Sequence, residues 1–239
     1  MKKIALITGA GRGLGWELTN QLTKHGYFVI MGVRDEQKGL AAWERLPEKN
    51  AASVMVLDME DQASFPQVYA QLEKRNGKLD LLVNNAGVML DGDLMKNSTN
   101  TISAELLKKT FDVNFFGIVA LTNTLVPLLL KSTTPAIVNI SSNMGSLHLL
   151  ATEPAMPKTF AYNTSKAALN AYTLHLAYLL ADTPVKVNAV HPGWVKTDMG
   201  GDAAPLEAAE AVASIVQLIL QGANAPTGQF LHQGQEVKW

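Results

Sequence analysis

The chain has 239 residues, of which 47% are hydrophobic, with a formal net charge of -1 and a pI near 6.5. That apolar content is enough for one large core, and the absence of any basic block removes the electrostatic basis for capturing nucleic acid or anionic lipid. There is no cysteine, which excludes disulfides and thiolate chemistry and fits a reducing, cytoplasmic setting.

Met1-Lys2-Lys3 followed by Ile4 to Ile7 has the flank of a leader peptide, but Thr8 and Gly9 cut the apolar run too short for that role. The run instead reads as a strand entering a glycine-rich turn, Thr8 to Gly15. A helix with Leu14, Leu18 and Leu22 on one stripe follows, then a second strand over 27–33, which makes a βαβ unit. Further along, helices are expected over 35–46, stopped before Pro47, and over 61–75. Strands are expected over 53–58 and 80–84, then a long helix over 105–131 and a strand over 136–141. After a loop come a helix over 160–181, a strand over 185–190, a helix over 205–221 and a last strand over 228–232. Pro127 and Lys131 interrupt the most apolar stretch, so no membrane span is expected.

Apolar strands alternating with helices, with no linker or repeat, predict one α/β domain over 1–239. Its sheet should be parallel, of about seven strands, doubly wound with helices on both faces. Ligands of such sheets bind beyond the carboxyl ends of the strands. The chemically suggestive residues fall at those ends: the glycine turn, Arg34, Asp58, Asn84 to Gly87, Ser141-Ser142 and His191-Pro192-Gly193. Glycine lets the backbone turn tightly against a ligand, and the helix start that follows offers free N–H groups to a pyrophosphate. The spacing is G-x-x-x-G-x-G through Gly9, Gly13 and Gly15. Tyr162 and Lys166, four apart on one helix, share a face. An adjacent ammonium would favour the anion of a phenol whose reference pKa is about 10, which suits Tyr162 to general acid and base chemistry. No histidines stand at a metal-ligand spacing, so no metal is expected, and His148 and His191 are read as structural or surface residues.

Four motifs in order, Thr8-Gly9-x-x-x-Gly13-x-Gly15, Asn84-Asn85-Ala86-Gly87, Ser142 with Tyr162-x-x-x-Lys166, and Pro192-Gly193 with Thr197, resemble the classical short-chain dehydrogenase/reductases over nearly the whole chain. The resemblance implies a single-domain Rossmann fold and a catalytic set of Asn114, Ser142, Tyr162 and Lys166. Tyr162 would protonate the carbonyl oxygen and Ser142, favoured over Ser141, would orient it. Lys166 would hold the nicotinamide ribose and lower the phenol pKa, and Asn114 would position a water leading to Lys166. Gly9, Gly11, Arg12, Gly13, Leu14, Gly15, Arg34, Asp58, Met59, Asn85, Ala86, Gly87, Pro192, Gly193, Val195 and Thr197 would bind cofactor beside Tyr162 and Lys166. Val33 stands where NAD-preferring relatives carry an acid, and Arg12 and Arg34 suit an extra phosphate, so NADP(H) is expected over NAD(H).

The long interval between Ser142 and Tyr162, with Pro154 and Pro157, resembles the carbonyl-reductase-like branch, as do 192–199 and the tail 235–239. Met89, Met144, Leu149, Trp194 and Met199 are the expected substrate walls, which suits a hydrophobic ketone or aldehyde. The expected partner is therefore a small-molecule carbonyl or alcohol, with no nucleic acid or membrane. Homodimer, homotetramer and monomer stay open, as do an acyl-carrier or polyol substrate and a non-catalytic NADP-binding sensor. Phe230 and Trp239 are expected to pack on the last strand.

Overall fold

β1 (Lys3–Thr8) forms where the first apolar run lies, and everything in it after Lys3 is buried. In the computed structural model, which describes residues 2–92 and 97–239, β1 is an inner strand of an eight-stranded sheet. Met1, the first residue of the run considered as a leader, lies outside the described residues. The chain continues through α1 (Gly13–Lys24), β2 (Tyr27–Val33), α2 (Glu36–Glu44), β3 (Ala52–Val56), α3 (Phe65–Asn76) and β4 (Leu81–Asn84). Next come α4 (Ala104–Phe111), α5 (Gly117–Leu129), β5 (Ala136–Ile140), α6 (Leu147–Thr152) and α7 (Phe160–Leu179). β6 (Lys186–Val190), α8 (Ala208–Leu220), β7 (Phe230–His232) and β8 (Gln235–Glu236) complete it.

The strand order is β3-β2-β1-β4-β5-β6-β7-β8, parallel throughout except for the closing β7–β8 pair. Winding proceeds from β1 outward to β3, then returns to start again at β4 on the other side of β1. The reversal leaves a crevice between the loops that follow β1 and β4. Side chains of period 2 send Ala5 and Ile7 to one face, with Leu18 and Leu22 of α1 and Val212, Ile215 and Ile219 of α8. Leu6 goes to the other, with Leu72 of α3, Leu121 and Leu125 of α5 and Leu169 of α7. This is the doubly wound α/β fold, with one strand more than expected, because a two-residue β8 carries no periodicity to read.

Tertiary contacts moved several element ends. The helix expected from residue 205 starts at Ala208, because Leu206 is drawn into an extended pairing with Val195 and exchanges backbone hydrogen bonds with Trp194 and Lys196. The helix expected from 61 starts at Phe65, after a 3-10 turn over Gln62–Ser64, with Pro66 in its first turn. The interval after Ser142, read as loop, contains α6. The long helix of 105–131 is divided by a π-helical turn, Asp112–Phe116. Contrary to expectation, Ala104–Leu129 is long and apolar enough to cross a membrane by length and composition. In the fold, however, Ile118, Leu121, Leu125, Leu128 and Leu129 are wholly buried in the core.

Candidate active site

The glycine turn after β1 is held from the β4 side. Thr8 Oγ1 accepts the backbone N–H groups of Asn85 (3.0 Å) and Ala86 (2.9 Å), and Asn85 Nδ2 donates to the carbonyls of Thr8 (2.8 Å) and Gly9 (3.2 Å). Gly9 and Gly13 take left-handed φ values of 67° and 55°. At Gly15 a Cβ would lie 2.5 Å from the Gly9 carbonyl oxygen and 2.6 Å from Asn85 Nδ2, so no side chain fits there. Asn84 takes no part in the crevice; it is buried between Thr122 (3.0 Å) and Asn139 (2.8 Å).

Asn114 sits fully buried in the π turn, where the extra residue re-aims its side chain out of the helix register. Its Oδ1 accepts from Val88 N–H at 2.8 Å, and its Nδ2 donates to the Val88 carbonyl at 2.8 Å and to Ser165 Oγ at 3.0 Å. The amide therefore clamps the loop after β4 onto α7, with one lone pair of Oδ1 left for a further donor.

Tyr162 and Lys166 lie one turn apart on α7, both buried, with Lys166 Nζ 5.7 Å from the phenol ring centroid. Lys166 Nζ donates to the Ile140 carbonyl at 2.8 Å, at the end of β5. Just beyond, Ser142 caps a short turn: its Oγ accepts from Met144 N–H at 3.2 Å and donates to Asn143 Oδ1 at 3.3 Å. Ser141 turns inward and donates to Asn170 Oδ1 at 2.5 Å. Burial pushes the Tyr162 phenol up to about 12, with a Ser142 hydrogen bond opposing it only in part, and burial pulls the Lys166 ammonium down to about 8. The expected lowering of the phenol by Lys166 is thus absent in the protein alone. The ammonium is spent on a carbonyl, and loss of hydration outweighs the remaining attraction. A phenol held protonated at neutral pH is a proton donor as it stands.

The glycine turn, Ser142, Tyr162 and Lys166 share one cavity of about 1340 Å³, running from Arg34 and Asp58 at one end to Tyr162 and Ser142 at the other; Asn114 does not line it and meets it through Val88. Gly9, Gly11, Arg12, Gly13, Leu14, Gly15, Met59, Asn85, Ala86, Gly87, Pro192, Gly193, Val195 and Thr197 all line it. Of the expected substrate walls, Met89, Met144, Trp194 and Met199 line it and Leu149 does not. Leu149 belongs to α6, whose cap Ser146 accepts from Leu149 N–H (3.1 Å) and donates to the Lys238 carbonyl (2.6 Å), which draws that segment toward the tail. Met156 and Pro157, from the same insertion, line the wall instead.

His191, expected to be structural or surface, lines the cavity together with His232. Their ring centroids lie 4.7 Å apart with the planes tilted by 38°, and His232 Nδ1 donates to the His191 carbonyl at 2.9 Å. His191 Nδ1 is buried without a partner among the described residues. Burial first, and His232 second, push His191 down to about 4, so its ring is neutral.

The family model for short chain dehydrogenase matches residues 3–207. The chain belongs to that family. It is 30% identical to (+)-neomenthol dehydrogenase from Capsicum annuum, with 97% of this chain and 96% of the relative covered. The structure of salutaridine reductase from Papaver somniferum is similar at a TM-score of 0.82 and 30% identity, over 96% of this chain and 99% of that one. NADPH-bound carbonyl reductase from chicken fatty liver reaches a TM-score of 0.88 at 26% identity, over 100% and 99%. As a short-chain dehydrogenase the chain is an oxidoreductase.

At the end of the crevice beyond β2 the dehydrogenase places Arg12, Arg34 and also Lys38, which sequence alone did not single out, beside Asp35, Asp58 and Glu60. Asp35 caps α2 through Lys38 N–H (3.0 Å) and pairs with the Lys38 ammonium (3.8 Å) rather than with Arg34. Arg12 forms an ion pair with Asp198, on the opposite rim. Both partners are largely exposed, so the pair is worth no more than about 1 kcal/mol and is easily exchanged for another anion.

Proposed function

We propose that this oxidoreductase is an NADPH-dependent reductase of hydrophobic ketones or aldehydes, with Tyr162 as proton donor. The observation that carries the reading is one cavity joining a buried, protonated phenol to a glycine cradle with guanidinium groups at its far end. The residues fit a dinucleotide phosphate: Gly9, Gly13 and Gly15 keep the cradle free of side chains, and the start of α1 directs its free N–H groups there. Arg12 and Arg34, with Lys38, supply cations for the additional phosphate. When bound, the nicotinamide supplies the hydride.

The chain's own residues do the rest. Ser142 Oγ donates to the substrate carbonyl oxygen and aligns it with Tyr162, whose phenolic proton passes to that oxygen as the carbinol forms. Lys166 holds the nicotinamide ribose and stabilises the phenolate once formed, and the free lone pair of Asn114 Oδ1 orients a water that returns the proton. Asp58, Met59 and Asn85 to Gly87 hold the adenosine, while Pro192, Gly193, Val195 and Thr197 hold the nicotinamide. Met89, Met144, Met156, Trp194 and Met199 give the substrate end a deformable apolar wall, which favours a substrate whose main polar group is its carbonyl.

The test is NADPH oxidation against a panel of aliphatic and aromatic ketones and aldehydes, run beside Tyr162→Phe and with NADH substituted. Wild type should turn over with NADPH. The Phe variant should lose at least about a hundredfold in kcat while binding NADPH normally. Equal activity in the two proteins overturns the proton-donor role.

A further inference from the structure

α7 carries the phenol, yet its own N-cap residue leaves the helix end uncapped: Thr159 Oγ1 donates to Asn163 Oδ1 at 2.6 Å and makes no cap hydrogen bond. The first-turn N–H groups of a helix have no partner inside it and must find one elsewhere when buried. Here the partner is Asp91, from the loop after β4. The Asp91 carboxylate is fully buried, its Oδ1 accepting from Ala161 N–H at 2.8 Å and its Oδ2 from Tyr162 N–H at 3.1 Å. The same loop carries Val88, bonded both ways to Asn114, and Met89 of the cavity wall.

We propose that Asp91 is a positioning residue for the reaction: its carboxylate sets the first turn of α7, and with it the Tyr162 hydroxyl, in register with the loop that lines the cofactor side of the crevice. The inference rests on the reading of Tyr162 as proton donor. Two carboxylate oxygens on two consecutive N–H groups fix both the height and the rotation of the turn, which one hydrogen bond could not do. The carboxylate also places a buried negative charge close to the helix end whose positive partial charge would otherwise favour a phenolate. The other groups near Tyr162 among the described residues are Lys166 on its own helix, uncharged Ser142 beyond β5 and, lining the same cavity from the end of β6, neutral His191. Among the described residues Asp91 is thus the one negative charge bonded to the backbone of that turn.

The experiment compares Asp91→Asn, Asp91→Ala and Tyr162→Phe with wild type in kcat, KM, NADPH affinity, thermal midpoint and the pH profile of kcat. Asp91→Ala should lose about ten- to a hundredfold in kcat, the scale set by a misplaced reacting group, with NADPH affinity within about threefold of wild type. Asp91→Asn keeps one acceptor and loses the charge. It should recover part of kcat and move the phenol's limb of the pH profile to lower pH. A role confined to holding the fold together predicts a lower thermal midpoint with an unmoved profile in the Asn variant, and that result overturns the proposal, as does failure of the near-isosteric Asn variant to fold. If Tyr162→Phe is inactive while both Asp91 variants match wild type, positioning by Asp91 falls and the proton donor stands. If Tyr162→Phe is active, the underlying reading falls first.

Discussion

At the scale of single residues, the environment decided what the residue types left open. Tyr162 and Lys166 were legible because four-residue spacing on a helix puts them on one face whatever surrounds them. Their protonation was not legible, because it depends on hydration lost to β5 and the insertion that fold over them. The burial of His191 was not legible for the same reason: a histidine before a proline has no local signature of it. Its neutral ring makes a test at this scale. With its pKa moved from 6.5 to about 4, the unfolded chain takes up the proton first, so stability falls as pH drops from about 6.5 toward 4. The full loss is on the order of 3 kcal/mol. Urea unfolding of wild type between pH 7 and pH 4.5 should show that decline, and His191→Gln should flatten it. An equal slope in both proteins would point to another titrating group. Asp80 is well separated from this window. Burial raises its carboxyl, but hydrogen bonds from Lys78, Ser132 and the Ile4 N–H prevail and hold it below 3.8. The stability it contributes is therefore lost only at still lower pH.

At the scale of elements, helices and strands were mostly where periodicity put them, and their misread ends share a cause. Leu206 pairs with Val195, and Asn114 in its π turn bonds both backbone groups of Val88, so in both places the helical pattern yields where a distant segment supplies hydrogen-bond partners. The tail is the clearest instance. The Trp239 ring stacks on Phe230 at 5.4 Å, as the expected packing on the last strand requires. The same tail also binds the insertion, through Lys238 to Ser146 Oγ and through the Trp239 carbonyl to His148 N–H at 3.0 Å. The segment after Ser142 is thereby moored to the far edge of the sheet. Trp239→Ala should remove the stack, worth about 0.5–1.5 kcal/mol beyond its buried area. It should raise KM for carbonyl substrate several-fold while leaving NADPH affinity unchanged, since the tail bears on the substrate side of the crevice. Steady-state kinetics with fluorescence titration of NADPH separate the two effects, and a parallel loss of NADPH affinity would contradict the mooring.

At the scale of the whole molecule, the proposed cofactor site draws on elements from both sides of the winding reversal: the turn after β1, the end of β2, the loop after β4 and the segment after β6. A ligand touching all of them binds only the folded state and stabilises it by mass action, about 2.7 kcal/mol at a hundredfold excess over Kd. For a chain of this size NADPH should therefore raise the thermal midpoint by roughly 5–10 °C. NADH at equal concentration should give a smaller rise, and Arg34→Ala should bring the two curves together. Identical shifts in wild type would remove the guanidinium argument for NADPH.

The amino-acid order alone determined the doubly wound α/β architecture, the glycine cradle and the Tyr162 and Lys166 pair. Each of these follows from local spacing: period 2 or 3.6 in apolar residues, glycine where the backbone must turn, and two side chains one helical turn apart. Only the tertiary structure decided that Asp91 caps α7, that Leu149 leaves the wall to Met156 and Pro157, that His191 and His232 meet in the cavity, and that Arg12 engages Asp198. Those pairings join residues far apart in the chain, and their chemistry comes from mutual desolvation and hydrogen bonding. Neither exists until the sheet has brought them together.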